Sequence, residues 1–174
     1  MRVFSDVERR WSHTLQILEG NIGKVGTVIF SSDGNKIISQ SEEMSLRIWD
    51  VATGRHEHTL KGHSSEILAL VFSLDRTKLA SGSWDNTIRI WEVATGQVDY
   101  ILNCHLSRVR VVAFSHDGKR LALGSDDCTV MVWDAAELRA VYELKGHADP
   151  PCSVMFSPDG CKLASGSKDE TIRV

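Results

Sequence analysis

The chain has 174 residues, 42% of them hydrophobic and 25% charged, with a net charge of -3. That length suits one ordinary globular domain with its own core, and the composition argues against wholesale disorder. The longest uninterrupted apolar run, Ile67 to Phe72, is far short of the roughly 20 residues a membrane-spanning helix needs, and no basic stripe is available for a phosphate backbone; neither membrane insertion nor a nucleic-acid partner is expected.

Met1 to Arg10 carries charges without an apolar core, so residues 1–12 read as a lead-in and not as a secretory signal. His13 to Leu18 reads as a strand. From there the chain repeats with a period of 42: Leu18, Leu60, Leu102 and Leu144 stand one period apart, as do Phe30, Phe72, Phe114 and Phe156. Three more columns keep the same step: Ser31, Ser73, Ser115 and Ser157; Asp33, Asp75, Asp117 and Asp159; Ser41, Ser83, Ser125 and Ser167. A tandem array follows, with units at about 21–62, 63–104, 105–146 and 147–174, the last truncated.

Within a unit the elements can be taken in order from the second. Ile67 to Phe72 is a short continuous apolar run, which predicts a strand buried on both faces. A turn follows, marked Asp33-Gly34, Asp117-Gly118 and Asp159-Gly160 in the other units; Asp-Gly supplies the positive φ of a tight turn. In unit two Arg76 replaces that glycine, and a turn of the same shape would strain it by about 1 kcal/mol. Lys78 to Ser81 predicts a second strand, Thr87 to Trp91 a third with period-two alternation, and Gln97 to Leu102 a fourth. No helical periodicity interrupts this pattern. The cysteines, Cys104, Cys128, Cys152 and Cys161, show no Cys-x-x-Cys spacing, so free thiols in a reducing, cytoplasmic setting are expected.

These residues resemble the WD-repeat β-propeller family. Gly62-His63 and Gly146-His147 match its Gly-His element; Trp49-Asp50 and Trp133-Asp134 match its Trp-Asp pair, with Trp91-Glu92 close to it. The resemblance implies an all-β fold of four four-stranded antiparallel blades, forming an incomplete propeller. Propellers of this family usually close with more than four blades, so an open arc, or two chains sharing one ring, is expected ahead of a closed four-blade ring. Open blade edges would then favour self-association.

The resemblance also implies a hydrogen-bond relay through the Gly-His histidine, a second-strand serine, a turn aspartate and the tryptophan. In unit two these are His63, Ser81, Asp85 and Trp91. Unit one has Asn21, Ser39, Glu43 and Trp49; unit three has His105, Leu123, Asp127 and Trp133; unit four has His147, Ser165 and Asp169. Units one and three are therefore expected to be looser, with unequal losses for Asp85→Ala and Asp127→Ala. A Ser-His-Asp triad is the competing reading of the same residues, but catalytic groups do not recur once per repeat, and no Gly-x-Ser-x-Gly elbow is present. His56 and His58 form a His-x-His pair with no third ligand in register, so exposed imidazoles are expected and no metal or cofactor site.

Function is sought where the repeats differ. The residue before the turn aspartate is Glu42, Trp84, Asp126 and Lys168 in the four units, and Lys24, Glu66, Arg108 and Asp149 stand near the start of each first strand. By resemblance these lie on the narrow face near the central channel, with Trp84 as a candidate anchor for a partner. The resemblance implies a non-catalytic protein-binding scaffold, similar to the propeller tails of NACHT-type signalling proteins and so a fragment of a larger recognition protein. Alternatives are an adaptor subunit, G-protein-β-like, ubiquitin-ligase receptor or mitochondrial fission adaptor. A propeller enzyme would need channel carboxylates; Glu42 and Asp126 are the pair to name, and their units are not adjacent.

Overall fold

A computed structural model describes residues 17–174. The lead-in over 1–12 and residues 13–16 of the first expected strand lie outside the described residues. Among the described residues, fifteen strands form four separate antiparallel sheets, each built from neighbours in sequence. The first holds β1 (Val28–Phe30), β2 (Lys36–Ser41), β3 (Ser45–Asp50) and β4 (His56–Leu60). The second holds β5 (Ile67–Phe72), β6 (Lys78–Ser83), β7 (Ile88–Glu92) and β8 (Val98–Leu102). The third holds β9 (Val109–Phe114), β10 (Arg120–Ser125), β11 (Val130–Asp134) and β12 (Arg139–Leu144). The fourth, among the described residues, has three strands: β13 (Pro151–Phe156), β14 (Leu163–Ser167) and β15 (Ile172–Arg173).

Each sheet is a blade, and each blade packs flat on the next. In β5, Leu70 and Phe72 join the apolar cluster shared with the first blade, while Val71 joins the cluster shared with the third. Alternation along one strand thus feeds two interfaces, which is why the run is apolar at every position. The first interface is centred on Ile38, Leu46, Ile48, Leu79 and Trp91; the second on Ala80, Ile88, Leu121 and Leu123; the third, smaller, on Ala122, Val132 and Phe156. The faces at the two ends of the array are not covered by any of the described residues. Val28 and Phe30 of β1 are exposed on one, and Met155 and Ile172 on the other.

The identical columns are mostly turn chemistry. Between the first two strands of every blade, a serine hydroxyl bonds the aspartate two residues on and accepts the N–H five residues on: Ser31 with Asp33 and Lys36, Ser73 with Asp75 and Lys78, Ser115 with Asp117 and Arg120, Ser157 with Asp159 and Lys162. These bonds satisfy donors that a tight turn would otherwise leave bare. The following residue has φ of 73° at Gly34, 70° at Gly118 and 69° at Gly160, and Arg76 adopts 66°. Its guanidinium reaches back to Asp33 of the first blade, Nη1 to Oδ2 3.1 Å.

Candidate protein-interaction surface

The relay residues meet in the second blade. Nδ1 of His63 lies 2.8 Å from Oδ2 of Asp85, Nε2 of His63 lies 2.7 Å from Oγ of Ser81, and Trp91 donates its indole N–H to the same oxygen at 2.8 Å. With Asp85 as an anion, the imidazole carries its proton on Nδ1. Nε2 then accepts from the Ser81 hydroxyl, whose oxygen accepts from Trp91, and every donor is used. Burial holds the His63 imidazole below its usual value of 6.5. Burial also works to raise the Asp85 carboxyl, but bonds from Thr87, the Ser64 N–H and His63 outweigh it and hold it at about 2. Ser81 is fully buried with its oxygen already engaged on both sides, so it has no open path to a substrate.

The other blades depart from this arrangement at different points. In the first, Asn21 stands in for the histidine and accepts the Ser39 hydroxyl at 2.9 Å, while Trp49 donates to Ser39 at 2.8 Å; the bonding closes without an imidazole. In the fourth, His147 lies 2.8 Å from both Asp169 and Ser165. In the third, His105 lies 2.9 Å from Asp127, but Leu123 occupies the serine position. Nε2 of His105 and Nε1 of Trp133 are consequently buried without a partner among the described residues. Asp127 accepts from Leu106 N–H, Thr129 N–H and the Thr129 hydroxyl, as Asp85 does from Ser64 and Thr87. The asymmetry between the second and third blades therefore lies at the serine position, and the aspartates are bonded alike.

One structural pairing escaped the sequence reading. A Cβ on Gly62 would sit 2.5 Å from Nη1 of Arg89, and one on Gly146 would sit 2.6 Å from Nη1 of Arg173. The Gly-His glycine holds a positive φ, 154° at Gly62 and 142° at Gly146, and the tip of an arginine from β7 or β15 lies across its backbone. In the third blade both members change together, to Cys104 and Met131, and that joint change was the available signal. His56 and His58 are likewise placed apart in function: His56 bonds the Thr59 hydroxyl at 3.0 Å, and His58 meets the Ala94 carbonyl at 3.0 Å.

The varied positions gather at one end of the blades, where the second strand turns into the third. Trp84 N–H donates to the Glu66 carbonyl at 2.9 Å, Asp126 N–H to Arg108 at 3.0 Å, and Lys168 N–H to Pro150 at 3.2 Å. Each tip is thus tied to the loop that leads into its own blade. The side chains then differ. Trp84, 39% exposed, carries the Arg108 guanidinium of the next blade over its ring, 3.7 Å from the centroid. Asp126 is clamped by Nε and Nη2 of Arg110, the latter at 3.0 Å. Glu42 lies over the backbone of Gly23, whose Cβ position it would overlap. Asp126 is thereby engaged within its own blade, while Glu42 only lies against the Gly23 backbone. The result is a ledge on which an indole with a cation across its face stands beside a neutralised acid, a chemistry common in protein contact surfaces.

The family model described as WD domain, G-beta repeat, matches residues 12–50, 54–92, 96–134 and 138–174. Each match after the first begins just before the outer strand of one blade and ends at the third strand of the next, so sequence repeats and blades are out of phase. Vegetative incompatibility protein HET-E-1 of Podospora anserina is 46% identical over 50 residues, which is 29% of this chain and 4% of that protein. With nearly its whole length matched and four blades in place, the chain belongs to the WD-repeat family.

Proposed function

We propose that the chain is a non-catalytic scaffold that binds protein partners, and that it works as part of a larger signalling or recognition protein. The family and the likeness to HET-E-1 support the first part and motivate the second. The observation that carries the reading is the Trp84–Arg108 stack. It joins two blades on the face where the repeats differ most, while the turns at the opposite end, between the first two strands, share the same serine–aspartate bonding in every unit. A large aromatic with an arginine across it resembles the anchors that dominate binding energy at interfaces. The clamping of Asp126 by Arg110 speaks against a pair of channel carboxylates.

The test is a phage-displayed peptide library selected on the chain, followed by affinity measurement on Trp84→Ala and Arg108→Ala. Each variant is expected to weaken the selected peptides about tenfold or more, with little change in melting temperature. Binding that neither variant alters would refute the assignment of this face. Self-association is a further part of the proposal. Val28 and Phe30, and Met155 and Ile172, lie on faces equivalent to those buried between blades elsewhere in the array. Sedimentation velocity across concentration reads it, and a concentration-independent monomer would count against it.

A further inference from the structure

A cavity of about 860 Å³ opens between the second and third blades, at the end of the sheets opposite the Trp84 tips. It is walled by the β5–β6 and β9–β10 turns, the β11–β12 turn and β8. Its apolar part includes Leu74, Tyr100, Phe114 and Leu138. Leu74 is 57% and Tyr100 51% exposed, high values for large side chains lining a concave site of ligand size. Four aspartates line it against two lysines. One of the lysines, Lys78, is already held by Glu92 and Asp99.

The equivalent place between the first and second blades is filled by the chain itself. There Arg76 puts its guanidinium on Oδ2 of Asp33, and His58 closes onto the Ala94 carbonyl and packs against Gly96. One period later the same positions hold Gly118, Tyr100 and Leu138. Gly118 has no side chain to send to Asp75. The bonds to Asp75 all arrive at Oδ1, from Ser73 and Thr77. Those to Asp117, from Ser115 and Lys119, and to Asp134, from Ala136 and Glu137, also arrive at Oδ1. Three carboxylates therefore keep Oδ2 without a hydrogen-bond partner among the described residues, with Lys78, Lys119, Arg139 and Arg120 near enough to act on them only through charge. Their own turns hold all three carboxyls below the usual carboxylate range, chiefly through Ser73, Ser115 and the Glu137 N–H respectively, so they are anionic at neutral pH.

We infer that this groove is a second binding site, which takes a short peptide segment presenting an arginine beside a bulky aliphatic residue. The arginine takes on Oδ2 of Asp75 the place that Arg76 takes on Asp33, and the aliphatic side chain rests on Leu74, Tyr100 and Leu138. The inference goes beyond the scaffold reading because it concerns the opposite end of the blades. A guanidinium suits the site better than an ammonium, since it can bridge neighbouring carboxylates with a planar fork of donors.

The probe is a fluorescein-labelled peptide with an Arg-Leu pair in a Gly-Ser background, read by fluorescence anisotropy against the whole chain. The same peptide with citrulline for arginine removes the charge and keeps the shape. Expected results are saturable binding that weakens with salt, a loss of about tenfold or more with citrulline or with Asp75→Asn, and no binding to Gly118→Arg, which installs the guanidinium in place. Gly118→Ala carries the same backbone cost without the guanidinium and should bind as the unaltered chain does, as should Trp84→Ala. The inference is overturned if the Arg-Leu peptide does not bind, if citrulline binds equally, or if Gly118→Ala abolishes binding as fully as Gly118→Arg. It is also overturned if Gly118→Arg changes only the sedimentation of the chain, which would assign the groove to a second copy.

Discussion

Replacing Trp133 by Phe should cost much less stability than replacing Trp91 by Phe. Both changes remove the same atoms, but Trp91 is fully buried and Trp133 only partly, so Trp91→Phe also loses more packing. They differ further in what happens to the indole N–H. In the second blade it donates to Ser81 at 2.8 Å, and its removal forfeits a buried hydrogen bond, worth about 1 kcal/mol net. In the third blade Leu123 offers it no acceptor, and its removal relieves an unpaired buried donor, a gain of about 1–3 kcal/mol. These two effects sum to a difference of about 2–4 kcal/mol, and the deeper burial of Trp91 adds to it. Urea denaturation followed by far-UV circular dichroism measures the difference, and hydrogen exchange resolved by blade shows where it falls, since arrays open unit by unit. Ser81→Ala supplies the check: it recreates in the second blade the unpaired histidine and indole of the third. In that background Trp91→Phe should become milder by about the same 2–4 kcal/mol. Equal losses for the two tryptophan variants in the unaltered chain would refute the reasoning.

Asp85→Ala and Asp127→Ala should cost about the same, because the two carboxylates receive matching bonds; a gap above about 1 kcal/mol in urea titrations would contradict the geometry. His63 is held below its usual 6.5 in the folded chain, so the unfolded chain binds more protons as pH falls past 6.5, and stability should decline there. His63→Asn copies Asn21 of the first blade and should flatten that decline between pH 7 and about 5, as read from urea midpoints; an unchanged slope would place the titration elsewhere. Arg76→Gly should raise the melting temperature slightly: relief at φ 66° of about 1 kcal/mol exceeds the loss of an exposed ion pair to Asp33. Calorimetry showing a lower melting temperature would mean the ion pair dominates. Gly62→Ala should destabilise by about 1–3 kcal/mol because its Cβ meets Arg89 at φ 154°. Arg89→Met in the same chain should recover part of that, and no recovery in a thermal melt would count against the pairing.

Much of the blade frame was legible because it is built from short-range chemistry. The Ser-x-Asp turns close over five residues, and the apolar run Ile67 to Phe72 reports two buried faces through its composition alone. The substitution of Leu123 for the relay serine was visible as a break in a column. Its consequence was misplaced at the aspartate, because the Thr129 and Leu106 bonds that keep Asp127 fully engaged belong to local loop geometry. The Arg89–Gly62 and Arg173–Gly146 contacts were hidden for a related reason: they join a loop to a strand through long side chains whose rotamers no spacing rule specifies.

By itself, then, the amino-acid sequence determined the number of blades, the strand order within each and the residues that make every turn, since each rests on hydrogen bonds and alternation within a few residues. The tertiary structure alone decided what happens between blades. Arg108 on the ring of Trp84, Arg76 on Asp33, and the open groove where Gly118 faces Asp75 all depend on side chains of adjacent units meeting across an interface. Repetition reproduces the positions of those side chains every 42 residues, but their lengths and charges differ from one unit to the next. A contact that spans two units therefore exists only where both members fit, and that is settled in three dimensions.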